Sequence, residues 1–363
     1  IPSIIHCPVA MYQTHTTDVK TALLLVSDAS ELLSELLEGG NSTIAGRLAG
    51  AYRNLGQETI ANDIMKTMKM AGYDVREEDP FKEKTTIALD YREKSPYVNR
   101  IRLMWENMRT SIIEVFPKEP KINVQIDEYI SKMEEIYLMD AYHSLSIERY
   151  VVTPDLIERV RKGDWNTKEN EVDRQQKNAM AARGYWLAFN ALKNSVIRVY
   201  EGDNSGLVAK EEHGEWYRQL FAPSVLIGLL KPSDLAGYRT NQVYIGQSKH
   251  TPLSKEGVRD AMPILFELLK NEEHAGVRAV MGHFIFVYIH PYMDGNGRVG
   301  RFLMNLMLAS GGYPWTVIPV EEREQYMNAL EKASVDQDIV PFAKFIAWLV
   351  ESSIKGKPIA KLG

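Results

Sequence analysis

The sequence predicts an all-α protein. Apolar residues recur at helical spacing through most of the 363 positions, Gly, Pro and N-capping residues punctuate those runs, and one short segment alone alternates with the period of a strand. A chain of this length buries a sizeable core, and its helices are expected to divide into two or three subdomains. With 45 % hydrophobic and 25 % charged residues, the composition is ordinary for a globular protein. A net charge of −5 and a pI near 6.0 argue against broad nucleic-acid binding, which needs a basic face. The lone cysteine, Cys7, excludes an internal disulfide framework and suits a reducing, cytoplasmic setting. No apolar run reaches the roughly 18 residues of a membrane span, and Phe284–Ile289 reads as core. The chain begins Ile1-Pro2 rather than with Met, so residues upstream are expected.

In chain order, residues 1–20 read as irregular. Apolar spacing predicts a helix over Asp28–Leu37, stopped by Gly39-Gly40. A second helical unit spans Ser42 to about Gly72, with a small-residue face of Ala45, Gly46, Leu48, Ala49 and Ala51. Lys82–Pro96 is charged and flanked by prolines, so it reads as a linker, and residues 1–95 as a regulatory or dimerisation module. Arg47, Arg53, Lys66 and Lys69 would permit a DNA reader there, but the acidic run Glu77-Glu78-Asp79 weighs against one. The second region, 96–205, holds helices over Tyr97–Val115, Gln125–Ile147 and Ala179–Tyr200, broken by Pro117 and Pro120. Thr153-Pro154 supplies an N-cap and first-turn proline for another helix, and 164–176 are polar and expected at the surface. In the third region, 206–363, Gln242-Val243-Tyr244-Ile245 alternates as a strand and Gly246 supplies a turn, predicting a short β-hairpin. Helices follow at about Ser254–Lys270, His274–Ile289, Arg298–Ser310, Glu321–Ser334 and Pro341–Ile354.

The chemistry concentrates between two of those helices, in His290-Pro291-Tyr292-Met293-Asp294-Gly295-Asn296-Gly297-Arg298-Val299-Gly300-Arg301. The first turn of a helix leaves about four backbone N–H groups unpaired and its dipole favours anions. Gly295 and Gly297 let the backbone approach a phosphate closely, and a helix starting near Arg298 aims its amides there. Arg298 and Arg301, three apart on one face, can grip two phosphates. Asp294 offers a hard oxygen for Mg²⁺. Asn296 can fix a phosphate oxygen or brace the loop. His290 just ahead of this nest can accept a proton from a hydroxyl when neutral. A structural turn alone has no need for two arginines, an acid and an asparagine together.

This stretch resembles the Fic-family motif His-x-Phe-x-Asp/Glu-Gly-Asn-Gly-Arg-x-x-Arg, with Tyr292 at the usual Phe, and the wider likeness runs from about Glu211 to Val350. The resemblance implies a multi-helix core with a hairpin flap, and transfer of AMP from ATP to a Ser, Thr or Tyr hydroxyl of a target protein. It implies His290 as general base and Asp294 as Mg²⁺ ligand. Gly295, Asn296, Gly297 and Arg298 would hold the α- and β-phosphates, and Arg301 the γ-phosphate. Val243, Tyr244, Ile245 and Gly246 correspond to the flap that clamps the target by strand addition. Tyr326 corresponds to an aromatic lining the nucleotide pocket, whereas Met327 and Ser334 depart from a second Tyr and an Asn. Relatives often form dimers.

Ser144-Leu145-Ser146-Ile147-Glu148 fits the family's inhibitory pattern, Ser/Thr-x-x-x-Glu followed by Gly or Asn. In that arrangement a helix of about 125–148 would present Glu148 to Arg301 and withdraw it from the γ-phosphate. Arg149 departs from the usual Gly or Asn and leaves the helix end open to question. Two other readings stay open: removal of AMP or transfer of another phosphate-containing group, and a non-enzymatic nucleotide-binding regulator of antitoxin type.

Overall fold

The structure, a computed structural model, describes residues 1–26, 28–82, 95–120, 125–163 and 173–362, with backbone alone for 173–176. Most of the expected linker Lys82–Pro96 and of the polar stretch 164–176 lies outside the described residues. The chain forms two compact units, Ile1–Asn107 and Met108–Gly363.

The first unit contains α1 (Pro2–Ile5), α2 (Met11–Thr14), α3 (Thr16–Leu24), α4 (Ser30–Gly39), α5 (Ser42–Asn54), α6 (Glu58–Met70) and the start of α7 (Pro96–Val115). Residues 1–20, expected to be irregular, are mostly helical. Helices of four residues are too short for periodicity to register, and what fixes them is burial of Ile5, Tyr12 and Leu23 in a shared core. The helical unit from Ser42 to Gly72 is two helices, parted where Gly56 takes a left-handed φ of 73°. The small-residue face of α5 receives an extended segment rather than a helix. A Cβ on Gly46 would overlap the Arg76 carbonyl, and the Glu78 N–H donates to the Gly46 carbonyl at 3.2 Å. Arg53 is engaged inside the unit, its Nε and Nη2 donating to Glu77 at 2.6 and 2.9 Å. Arg47 lies 5.5 Å over the Tyr12 ring.

The second unit contains the end of α7, then α8 (Ile126–Ile147), α9 (Pro154–Lys162), α10 (Asp173–Tyr200), α11 (Ser205–Leu226), α12 (Lys255–Asn271), α13 (Ala275–Ile289), α14 (Asn296–Ala309), α15 (Arg323–Glu331) and α16 (Val340–Ile354). The predicted cap at Thr153 forms, its Oγ1 accepting from Leu156 N at 3.2 Å, and Ser254 Oγ likewise accepts from Gly257 N at 3.1 Å. Sequence periodicity missed α11, because its buried face mixes Ser205, Gly206 and His213 with Trp216 and Leu220 instead of an aliphatic stripe. Capped by Asn204, it packs along α10, and Trp216 Nε1 donates to Ser195 Oγ at 3.1 Å across the pair.

At the centre, α13 and α14 pack on each other and are buried almost all round, and α14 also meets α8, α10 and α11. The fold among the described residues is all-α, and it contains no strand. Among them, too, no helix is long and apolar enough to cross a membrane.

Candidate functional site

Every unusual backbone angle near the site serves a turn. α13 ends at His290, which adopts φ 56°, ψ 62° while its N–H still closes the helix on Phe286 O at 3.0 Å. A non-glycine residue in this region is uncommon and costly, so the surroundings must hold it. The His290 Nδ1 lies 3.2 Å from the Val287 carbonyl. A carbonyl only accepts, so Nδ1 carries the hydrogen and Nε2 keeps the basic lone pair. Burial pushes the His290 pKa down, Arg239 and His250 push it further, and the Val287 carbonyl and Glu148 oppose them without reversing the result. The imidazole is therefore neutral at neutral pH.

Six residues on, the loop closes on itself. Asn296 Nδ2 donates to Tyr292 O at 2.8 Å, and its Oδ1 accepts from Tyr292 N at 2.9 Å. The brace expected of its side chain is formed. The Tyr292 ring, at the usual Phe position, stacks on Tyr217 with centroids 3.7 Å apart. Gly295 takes φ 83° directly ahead of α14, and Asp294 Oδ1 accepts from Gly295 N at 2.6 Å. The Asp294 side chain is 62 % exposed, with Oδ2 at 3.4 Å from Arg298 Nη2. Among the described residues no group of three or more His, Cys, Asp or Glu side chains could hold a metal alone. One exposed carboxylate fits Mg²⁺ carried mainly by phosphates.

The two arginines are buried, Arg298 at 1 % and Arg301 at 4 % exposure. The Arg298 guanidinium lies between the rings of Tyr150 and Phe221, at 5.1 and 4.9 Å, and its Nε and Nη2 have no hydrogen-bond acceptor. Arg301 Nε donates to Ser144 Oγ at 2.9 Å, and Nη2 to Ser144 O at 3.0 Å and Glu148 Oε1 at 2.8 Å; Nη1 has no acceptor. Such orphaned buried donors are rare in proteins and point to an anion.

The predicted meeting of Glu148 and Arg301 is thus present. The Glu148 carboxylate also lies against Gly297, where a Cβ would overlap Oε1, so it sits at the amide end of α14. Burial raises its pKa, but Arg301 and Arg298 outweigh this and hold it below the ordinary carboxylate range. Arg149, the departure from Gly or Asn, takes φ 66°. Its N–H donates to Ser146 O at 2.9 Å and that of Tyr150 to Leu145 O at 3.1 Å, the paired bonds of a Schellman end. The helix end therefore keeps its geometry at the cost of a non-glycine residue in a left-handed position. Arg323 Nε donates to Ile147 O at 2.8 Å, satisfying another terminal carbonyl of α8.

One expectation changes. No hairpin forms at Val243–Gly246. Burial alternates, with Tyr244 78 % exposed and Val243 and Ile245 partly covered, but no neighbouring strand supplies a ladder. The turn lies at Gly246-Gln247, with Gln247 at φ 66° and Ser248 N donating to Ile245 O at 3.2 Å. Side chains anchor the segment instead: Gln242 Nε2 donates to Pro252 O at 2.9 Å, and Lys249 N to Glu331 Oε1 at 2.7 Å. Tyr326, expected to line a nucleotide pocket, is buried, with its hydroxyl 2.7 Å from His283 Nε2 and its ring beside Phe342 and Phe345. It lies close enough to Arg301 and Glu148 for both charges to act on its hydroxyl. The sequence reading missed Phe221, Tyr150, Arg239 and Arg323. Each reaches the site from an element distant in sequence, and local spacing carries no sign of that.

Residues 210–308 match the Fic/DOC family. A protein adenylyltransferase fic-1 from Caenorhabditis elegans is 34 % identical over 134 residues, 36 % of this chain and 26 % of its own length. The protein adenylyltransferase Fic of Drosophila virilis is 29 % identical over 228 residues, 61 % of this chain and 42 % of its own. The chain thus spans less than half the length of these curated relatives. A solved structure of Fic-1 (residues 134–508) from Caenorhabditis elegans superposes with a TM-score of 0.53 at 20 % identity, covering 90 % of this chain and 92 % of that one, a likeness of fold. The matched span holds every residue from His290 to Arg301, so the site lies in the part of the chain that is similar to the Fic/DOC family.

Proposed function

We propose that the chain is a protein adenylyltransferase that moves AMP from ATP to a hydroxyl side chain of a target protein and is restrained by Glu148. The observation that carries this reading is the set of buried guanidinium donors without acceptors, Arg298 Nε and Nη2 and Arg301 Nη1, gathered at the N-terminus of α14 one short loop from a neutral imidazole. Polyphosphate oxygens would satisfy those donors together with the free amides of the first turn.

In this mechanism His290 Nε2 takes the proton of the target hydroxyl, whose oxygen attacks the α-phosphorus. The bond from that phosphorus to the bridging oxygen breaks, and pyrophosphate leaves. Arg298 and the α14 amides hold the α- and β-phosphates, and Arg301 the γ-phosphate. Asp294 would hold Mg²⁺, which when bound offsets charge on the phosphates. Positioning and charge neutralisation do most of the work in such a transfer. The Val243–Ile245 segment, with Tyr244 exposed and no strand paired to it, suits an extended stretch of the target. A reducing, ATP-rich compartment such as the cytoplasm suits the free thiol of Cys7 and the substrate.

The test is transfer of label from α-labelled ATP to protein, in lysate and by self-modification. The Glu148→Gly chain is expected to label strongly, and His290→Ala in that background to lose labelling while still binding nucleotide. Label transferred equally without His290 would overturn the assignment of the base. Label arriving from the γ-phosphate instead would overturn the reaction.

A further inference from the structure

Arg239 is 3 % exposed and among the described residues makes no ion pair. Its guanidinium bonds backbone carbonyls only: Nε donates to His290 O at 2.8 Å, Nη1 to Asn241 O at 2.9 Å, and Nη2 to Leu253 O. Its own N–H donates to Pro291 O at 2.9 Å. A buried cation without a counter-charge is costly to keep, and a simple packing role would suit an apolar residue better.

What those bonds join is specific. His290 holds a left-handed backbone, and its N–H and Nδ1 are already committed to Phe286 and Val287. The bond to its carbonyl leaves Nε2 as the one hydrogen-bonding group of that residue facing no fixed partner. The other two bonds tie down both ends of the segment from Asn241 to Leu253, which carries the exposed Val243–Ile245 stretch. Its far turn is separately tied by Glu331 to Ser248 Oγ at 2.5 Å and Lys249 N at 2.7 Å.

We infer that Arg239 is a positioning residue that locks the His290 base and the target-binding segment 241–253 into one fixed register. The inference rests on the adenylyltransferase reading for its chemistry, and on geometry for the lock. A hydroxyl delivered by a segment that slides against Nε2 is misplaced, and small misplacements of reacting groups cost about ten- to a hundredfold in rate. The charge has a second effect. The charged groups acting on His290 are Arg239 and His250, which disfavour the imidazolium, and Glu148, which favours it.

Two variants of the full chain separate these parts, Arg239→Lys, which keeps the charge but not the three-pronged geometry, and Arg239→Gln, which loses both. The first readout is the titration of the His290 ring by proton–carbon NMR, assigned by its disappearance in His290→Ala. Arg239→Gln should raise the His290 pKa and Arg239→Lys should leave it near the parent value. The second is AMP transfer in the Glu148→Gly background, where both variants should lose about ten- to a hundredfold in kcat with the ATP KM held. A His290 titration unmoved by Arg239→Gln, or a full kcat in Arg239→Lys, would overturn the inference. Absence of transfer from the Glu148→Gly parent would count against the adenylyltransferase reading alone, since the titration still decides the role of Arg239.

Discussion

Replacing Glu148 by Gln keeps the shape of the side chain and an acceptor oxygen but removes the charge facing Arg301. The bond concerned joins a carboxylate with 27 % of its side chain exposed to a guanidinium with 5 % exposed, at 2.8 Å. Gln would still bond the charged guanidinium but without the carboxylate's charge, and charge-assisted bonds are roughly twice as strong as neutral ones, so the exchange should cost about 1–2 kcal/mol. Arg301 retains its two bonds to Ser144, which keeps the cost below the roughly 3–5 kcal/mol of a fully orphaned buried charge. If Glu148 restrains the enzyme by holding Arg301, the same free energy appears twice with opposite consequences. Thermal melting should fall by roughly 2–8 °C, at about 2–4 °C per kcal/mol for a unit of this size. The transfer of label from α-labelled ATP should rise by about five- to thirtyfold. Glu148→Gly should exceed it, because it also clears the space against Gly297. Melting that falls while labelling stays at the parent level in both variants would refute the brake and leave Glu148 a structural ion-pair partner. Labelling that rises without loss of stability would show that release does not act through Arg301.

Two further outcomes follow from the geometry. The base must be neutral to act, and His290 has a folded pKa below the ordinary 6.5, so kcat/KM should be flat above about pH 7 and fall only below pH 6.5. Glu148→Gly removes a charge that favours the imidazolium, so its acid limb should lie lower still; an acid limb above pH 6.5 in either chain would contradict the assignment. Arg149→Gly relieves a left-handed non-glycine residue, and after the entropy of glycine in the unfolded chain it should stabilise by about 0.5–1 kcal/mol, raising the melting temperature by roughly 1–4 °C. A lower melting temperature would mean that the Arg149 side chain supports the helix end.

The parts of this architecture that were legible in the sequence are those whose signal is local. Thr153-Pro154 announced a helix start because a cap bonds within three residues, and the ends of α13 and α14 followed from apolar runs flanking a glycine-rich loop. The loop could be read as an anion nest because Gly295, Gly297, Arg298 and Arg301 act through a backbone they share. The Glu148–Arg301 pairing spans 153 positions and came only from a family pattern. Helix α11 escaped because a face made of Ser205, Gly206, His213 and Trp216 does not look apolar until the cavity it fills is known. The hairpin was over-read at Val243–Ile245, where alternation reports that one side faces the protein but says nothing of a partner strand. Arg239 carried no signal at all, since bonds to carbonyls at 241, 253 and 290 leave no trace in spacing.

The charge balance of the site also says what kind of brake Glu148 can be. Its carboxylate reaches one donor of Arg301 and makes no hydrogen bond to Arg298, which keeps two donors without acceptors. Each unsatisfied buried donor costs about 1–3 kcal/mol, a penalty that persists with Glu148 in place and that a polyphosphate would relieve. Under the proposed function, nucleotide binding through Arg298 and the α14 amides would therefore stay favourable in the restrained state. What the carboxylate blocks is the second half of the grip, at Arg301 and Gly297. Under the proposed function, restraint of this kind would leave ATP occupancy nearly intact and act on the turnover of bound ATP, by denying the terminal phosphate the arginine that would orient it.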